Sequence, residues 1–279
     1  MNTRVALIAA IGLVAVIAAG AAWKLHGSEP GGPEAQSVSA DEIPIPPVPP
    51  RLAEGPDYER CMAMLGTDPE GANSFADAWE ATGGGEGARH CHALAMIQLG
   101  DVQAGAEKLE TLAANSHAPA VARATVYGQA DQAWLMAGQP TRALAAATLA
   151  LSLSSDDPDL LIDRSVAEGT LGHYEEAVDD LSHALELDPR RPDALVLRAA
   201  AWRHLGHLDL AQDDVDRALA QDIDNPEAYL ERGILRQRSG DRAGAQKDWV
   251  QAKTLAPDSA TSDLAEQNLA LLEAGPDRR

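Results

Sequence analysis

Glycine returns every 34 residues in the second half of the chain, at Gly138, Gly172, Gly206 and Gly240. With 23 glycines in 279 residues, three further matches to the first arise by chance about once in two thousand trials. Other columns keep step: Ala143, Ala177, Ala211 and Ala245 fall five residues after each glycine, and Ala150, Ala184, Ala218 and Ala252 fall seven later. Pro158, Pro192 and Pro226 share the period. A fixed period of this length describes one supersecondary unit that buries its apolar face on the next copy of itself. A chain of 279 residues is long for one closed core, but a stack of such units has no ceiling.

Each column has a physical reason. Proline in the first turn of a helix gives up no hydrogen bond, and Asp157 and Asn225 stand before two of the prolines as N-caps. Arg191, before the third, does not fit that role. The glycines mark where a first helix ends in a left-handed conformation, with a second helix beginning a few residues on. Alanines keep the second helix thin, so that its neighbours approach closely. The spacing predicts antiparallel helix pairs. Composition agrees: 45% of residues are hydrophobic but only 4% aromatic, with alanine and leucine supplying most of the apolar content, a mixture that favours helix.

Period, glycine, both alanines and the proline together resemble the tetratricopeptide repeat family. Leu171-Gly172-His173-Tyr174-Glu175-Glu176-Ala177 and Ala184-Leu185-Glu186-Leu187-Asp188-Pro189 are similar to that family's second helix and its exit. The resemblance implies an all-α, right-handed superhelical solenoid of antiparallel helix pairs, with four repeats at 124–157, 158–191, 192–225 and 226–259. The family's closing proline is kept at Pro189 and Pro257 and replaced by Ser155 and Ile223. Residues 260–279, with Leu264, Leu271 and Leu272 spaced along one face, are expected to form a capping helix and tail.

Residues 57–123 read as degenerate helical repeats. Leu99-Gly100-Asp101, followed by Gly105 and Leu112, is similar to one, and residues 57–65 and 70–81 form two earlier helices separated by Thr67-Asp68-Pro69 and closed by Gly83-Gly84-Gly85. The order of Cys61, Trp79, the three glycines and His90-Cys91 is similar to that of exported bacterial repeat proteins, which implies a protein of the bacterial envelope.

Residues 5–23 are nineteen uncharged positions, enough at helical rise to cross roughly 28 Å of hydrocarbon. Residues 1–26 are therefore expected to be a membrane anchor or a signal segment; Ala19, Gly20, Ala21 and Ala22 are small enough for cleavage, whereas the apolar run exceeds an ordinary signal core. Arg4 precedes the span and Lys24 and His26 follow it, which supports a cytoplasmic N-terminus only modestly. The expectation is a single-pass protein of the inner (cytoplasmic) membrane with its repeats in the periplasm, the alternative being a soluble periplasmic protein after cleavage. Residues 27–56 are a Pro/Gly-rich linker, densest at residues 43–50, read as a semi-rigid spacer or a polyproline docking motif.

Cys61 and Cys91 are too few for a disulfide framework, but in an exported protein one bridge between them would staple the most degenerate repeats. His90-Cys91-His92 offers a metal alternative, disfavoured because consecutive helical side chains diverge by about 100°. No metal or other cofactor is expected.

Arg164, Arg198 and Arg232 share one repeat position, and Asp180, Asp214 and Asp248 share another sixteen residues later. A helix hairpin brings the two positions together as internal ion pairs, which similar positions form in the family; a ligand-binding ladder is the other reading. By resemblance, first helices line the concave face, and the groove positions are Ile162, Val166, Val196, Ala200, Leu230 and Ile234, with Arg203, His204, Gln237 and Arg238 further along. An apolar floor with a basic edge suits a protein or peptide partner carrying hydrophobic anchors and some acid; packing between repeats is the competing role for the same side chains. The Lys and Asn pattern of family members that clamp a C-terminal carboxylate is absent.

The chain carries 22 Lys and Arg against 43 Asp and Glu, a net charge of −21. Residues 1–56 hold three of the former and five of the latter, so −19 remains on the rest, a field that repels nucleic acid. No phosphate loop, serine elbow or metal-spaced histidine motif is present, and paired acids such as Asp179-Asp180 and Asp213-Asp214 diverge on their helices, so neither a catalytic residue nor a small-molecule substrate is expected. The implied function is a non-catalytic scaffold that holds a partner, with an envelope assembly factor as one specific form; a self-associating structural protein is the alternative.

Overall fold

The computed structural model describes residues 51–274, and among them there are thirteen helices and no strand. In order these are α1 (Pro56–Leu65), α2 (Pro69–Ala81), α3 (Gly85–Gln98), α4 (Val102–Asn115), α5 (Ala120–Met136), α6 (Pro140–Leu153), α7 (Pro158–Leu171), α8 (Tyr174–Leu187), α9 (Pro192–Leu205), α10 (Leu208–Gln221), α11 (Pro226–Arg238), α12 (Arg242–Leu255) and α13 (Ala260–Ala274). The apolar run at residues 5–23 and the proline-rich run at residues 43–50 lie outside the described residues; within them, no helix is long and apolar enough to cross a membrane.

The helix boundaries sit where the repeat columns put them. Gly138, Gly172, Gly206 and Gly240 have φ of 69°, 84°, 85° and 90°, the left-handed region that a side chain resists and glycine enters freely. Pro158, Pro192 and Pro226 open α7, α9 and α11. Asp157 accepts from the amides of Asp159 and Leu160, and Asn225 from that of Ala228. Arg191 makes no such cap. Its guanidinium instead donates to Asp159 of α7 at 2.6 Å and to Asp193 of α9 at 2.7 Å, tying the first turns of successive repeats.

Packing runs along the chain. Each helix contacts the next, and first helices also touch across repeats: α5 with α7, α7 with α9, α9 with α11, α11 with α13. The second helices α6, α8, α10 and α12 are held further apart, so the stack curves with its first helices on the inside. The alanine columns make the close approach possible: Ala143, Ala211 and Ala245, and Ala150, Ala184, Ala218 and Ala252, are wholly buried. One apolar core extends from Ala93 on α3 to Leu235 on α11, and a separate cluster around Trp249 joins α12 to α13.

At the C-terminus the buried face of α13 is mostly small and polar. Leu272 is buried, but Leu264 and Leu271 are exposed, and Thr261, Ser262 and Ala265 take the inward positions. The inner side of α11 offers Leu230 and Ile234 half-buried beside Leu269. Small side chains let α13 settle against this surface where leucines would hold it off.

At the other end, Cys61 of α1 and Cys91 of α3 form a disulfide across a Cα separation of 6.2 Å. Asp68 caps α2 through the Gly71 amide at 2.9 Å. Beside the bridge, Tyr58 Oη bonds His90 Nδ1 at 2.7 Å, and His90 Nε2 bonds Gln129 Oε1 at 2.6 Å. Since the amide oxygen only accepts, Nε2 carries the ring proton and Nδ1 accepts from the tyrosine hydroxyl. This chain links α1, α3 and α5 through a buried imidazole.

Candidate peptide-binding groove

The inner surface is built by α5, α7, α9 and α11. On it, Val166, Ala200, Leu230 and Ile234 are half-buried, leaving part of each side chain to solvent. Ile162 and Val196 go deeper, at 7% and 9% exposure, and belong to the core shared by successive repeats. Leu230 and Ile234 also pack on the Trp249 cluster, so the floor narrows toward α13.

The expected basic edge is smaller than its residues suggest. Arg203 donates from Nε to Glu231 on α11 and is itself largely shielded, so it is not an open cation on the rim. Burial pushes the Glu231 carboxyl up, and Arg203 opposes that. Arg238 stays exposed, with Nη1 3.4 Å from the Arg203 carbonyl oxygen. His204 is exposed on the same rim and stacks on Tyr174 at 4.3 Å between ring centroids. Partial burial holds its pKa below the usual value, and Arg203 and Arg238 push the same way, so the ring is neutral at physiological pH. Gln237 is half-buried beside them. Across the groove, the first turns of the same helices present Asp159 and Asp193, both held by Arg191, and Glu227, which accepts from Thr261. The rim therefore runs from acidic to basic across the stack.

The Arg and Asp columns are internal. Arg164 grips Asp180 through two bonds of 2.6 Å. Arg198 holds Asp214 at 2.8 and 2.7 Å, and Arg232 holds Asp248 at 3.0 and 2.8 Å. All three aspartates are buried, and each fork joins the first and second helix of one repeat. In the preceding repeat the same positions are Ala130 and Ala146, both fully buried. Either both charges are present or neither is, as expected when a lone buried charge would be costly.

His90, Cys91 and His92 go to three different tasks: the relay to Gln129, the disulfide, and a 3.0 Å contact from His92 Nδ1 to Asp77. Among the described residues no cluster of three or more His, Cys, Asp or Glu is placed to hold a metal ion. A cavity of about 480 Å³ lies away from the groove, between α3 and α4, where Arg89 and Lys108 mix with Glu80, Glu86 and Glu107. Its lining sets two cations against three carboxylates and singles out no ligand.

Two features of the groove region escaped the sequence reading. Glu231 is one, because its column holds Asp163 and Leu197 in the two preceding repeats and so shows no pattern. Tyr174 against His204 is the other, a stack between the second helix of one repeat and the first helix of the next.

Residues 133–202 match the model of the tetratricopeptide repeat family. No curated protein sequence matches the chain. Among solved structures, the chain is similar to the Cut9–Hcn1 hetero-tetramer of the APC/C, with a TM-score of 0.60 and 15% identity, covering 76% of this chain and 42% of that one. It is similar also to a thermophilic tetratricopeptide repeat protein of Thermus thermophilus, with a TM-score of 0.55 and 20% identity over 68% of this chain and all of the other. MamA gives 0.50 at 17% identity, covering 58% of this chain and 93% of that one. Such identities speak of the fold alone, a solenoid of helix pairs like theirs, with the family's model matched over residues 133–202.

Proposed function

We propose that this chain is a non-catalytic scaffold of the bacterial cell envelope that holds a segment of a partner protein along the inner face of its repeats. The observation that carries the reading is the run of half-exposed Val166, Ala200 and Ile234 on successive first helices, with Arg238 and His204 at one rim. Apolar anchors one repeat apart would seat in that floor, and an acidic group on the segment would meet Arg238. Specificity then comes from spacing and charge, with no chemistry performed on the ligand.

The envelope setting is supported by the uncharged run at residues 5–23 and by the Cys61–Cys91 bridge, a bond that persists in oxidising compartments. In this reading residues 1–26 anchor the protein in the inner membrane and residues 27–56 space the repeats from it. Reporter fusions after residue 56 test the placement, and a reporter active only in the cytoplasm would refute it.

The groove is tested by crosslinking from the source membrane with wild-type protein and with Val166→Glu plus Ala200→Glu. Both positions are partly open, so helicity is expected to hold while partner capture falls at least tenfold. Equal capture by both proteins would remove the groove from the account. Light scattering on the same preparations separates this from self-association, which would show as mass rising with concentration.

A further inference from the structure

Position 131 departs from its repeat column. In the next three repeats the same place is taken by Ser165, Ala199 and Gly233, all buried. The column is thin because neighbouring helices press on it: a Cβ on Gly233 would stand 2.3 Å from the Trp249 indole nitrogen. Ser165 satisfies its hydroxyl locally, on the Ile162 carbonyl at 2.6 Å. Asp131 has no such outlet. It is 0% exposed, and neither carboxyl oxygen has a hydrogen-bond partner.

Nothing packed around it supplies a counter-charge. From α7 comes Asp163, a second acid, whose two oxygens each accept from Gln132 Nε2 at 3.2 Å. From α6 comes Arg142, but its guanidinium lies over the Trp134 ring and pairs with Glu107 and Glu110 of α4. His90 of α3 reaches α5 at Gln129 and is engaged there and by Tyr58. One turn away α5 and α7 meet closely, where a Cβ on Gly128 would stand 2.8 Å from Leu160 Cδ2. An ionised carboxylate without donors, facing a like charge, is among the costliest things a core can hold, whereas a neutral acid is tolerated and carries its own donor.

We propose that the α5–α7 junction is a proton-linked joint, in which Asp131 enters the folded array as the neutral acid and loss of its proton loosens the contact between the first two regular repeats. Burial pushes Asp131 up to about 9, with Asp163 adding to it. Burial also raises Asp163, to about 6, against the help of Gln132. The sign follows from linkage. Below the ordinary value of 3.8 both states hold the proton and no cost arises. As pH rises above it, the unfolded chain releases a proton that the folded chain keeps, so stability falls until pH reaches about 9. Alkaline conditions thus act on the inner wall at the α5–α7 junction, while the later repeats carry Ser165, Ala199 and Gly233 at this position and no acid.

The test compares urea unfolding of the full chain and of Asp131→Ser between pH 5 and pH 9. Ser is chosen because it is the residue of the next repeat. The wild-type folding constant is expected to fall by up to about tenfold per pH unit more steeply than that of the variant. Parallel profiles would overturn the proposal. Should Asp131→Ser fail to fold, the carboxyl carbon resonance of Asp131 in the wild-type chain decides: a neutral-acid shift at pH 7 upholds the joint, and a carboxylate shift refutes it.

Discussion

Arg203, in the last turn of α9, spends its guanidinium on Glu231 one repeat further along, and both side chains are shielded from solvent. The pair fastens α9 to α11 on the inner face, so it is part of the wall and leaves Arg238 as the rim's open arginine. Removing Glu231 would strand a charge in a shielded place. Glu231→Ala is expected to destabilise the C-terminal repeats by about 3 kcal/mol, whereas Arg238→Glu should change stability by less than about 0.5 kcal/mol while weakening partner capture. Thermal unfolding together with crosslinked yield measures both effects. Equal destabilisation by the two variants would contradict the distinction.

The Arg and Asp forks invite a double-mutant cycle. Since an earlier repeat carries Ala130 and Ala146 at the same positions, Arg198→Ala with Asp214→Ala recreates a pattern the fold already uses. Arg198→Ala alone is expected to cost up to about 3 kcal/mol, because Asp214 then keeps only the half-exposed Arg217, at 3.2 Å, and the double variant should recover at least about 1 kcal/mol of that. Additive losses measured by urea unfolding would show that the two side chains do not couple.

Covalent stapling of α1 to α3 closes a separation of 30 residues. In the chain-entropy picture this is worth about 3 to 4 kcal/mol. Cys61→Ser with Cys91→Ser, or reduction of the native protein, is expected to raise hydrogen exchange in α1 and α2 well before α9 to α12 respond. Uniform exchange along the stack would mean that the repeats unfold as one unit.

His90 sets an acid limit in the same region. Burial lowers its pKa, with the Gln129 bond opposing. Below the ordinary value of 6.5 the unfolded chain takes up a proton that the folded ring declines, so this contribution to stability is present above pH 6.5 and lost as pH falls. His90→Gln should flatten the acid limb of a stability profile, read by circular dichroism between pH 7.5 and pH 5. An unchanged limb would assign the acid sensitivity to another group.

The repeats themselves were readable from sequence because their marks have local causes. Gly172 and Gly206 are where the backbone turns left-handed, Pro192 and Pro226 open helices, and neither fact needs a distant partner. The Arg and Asp columns were readable for a related reason: a hairpin fixes which positions sixteen apart must meet, and recurrence exposed the pairing. What stayed hidden depends on contacts made once. Arg203 with Glu231 spans 28 residues in a column that otherwise holds Asp163 and Leu197, so no periodicity announces it. The leucine spacing in α13 marks a capping helix without saying which side chains turn inward, and there Ser262 and Ala265 are buried while Leu264 and Leu271 are exposed. Asp131 carries no mark of its own in the sequence, and only the packing of the helices shows that it is fully buried.

The bond between Cys61 and Cys91 also decides how the molecule bears load. Tension arriving through the preceding fifty residues enters at α1, and in a stack joined only by weak contacts it would strip the helices off one by one, like a zip. Here a pull would pass from Cys61 through sulfur into α3, so the rest of α1 and all of α2 would be bypassed and the contact of α3 with α4 would be next in line.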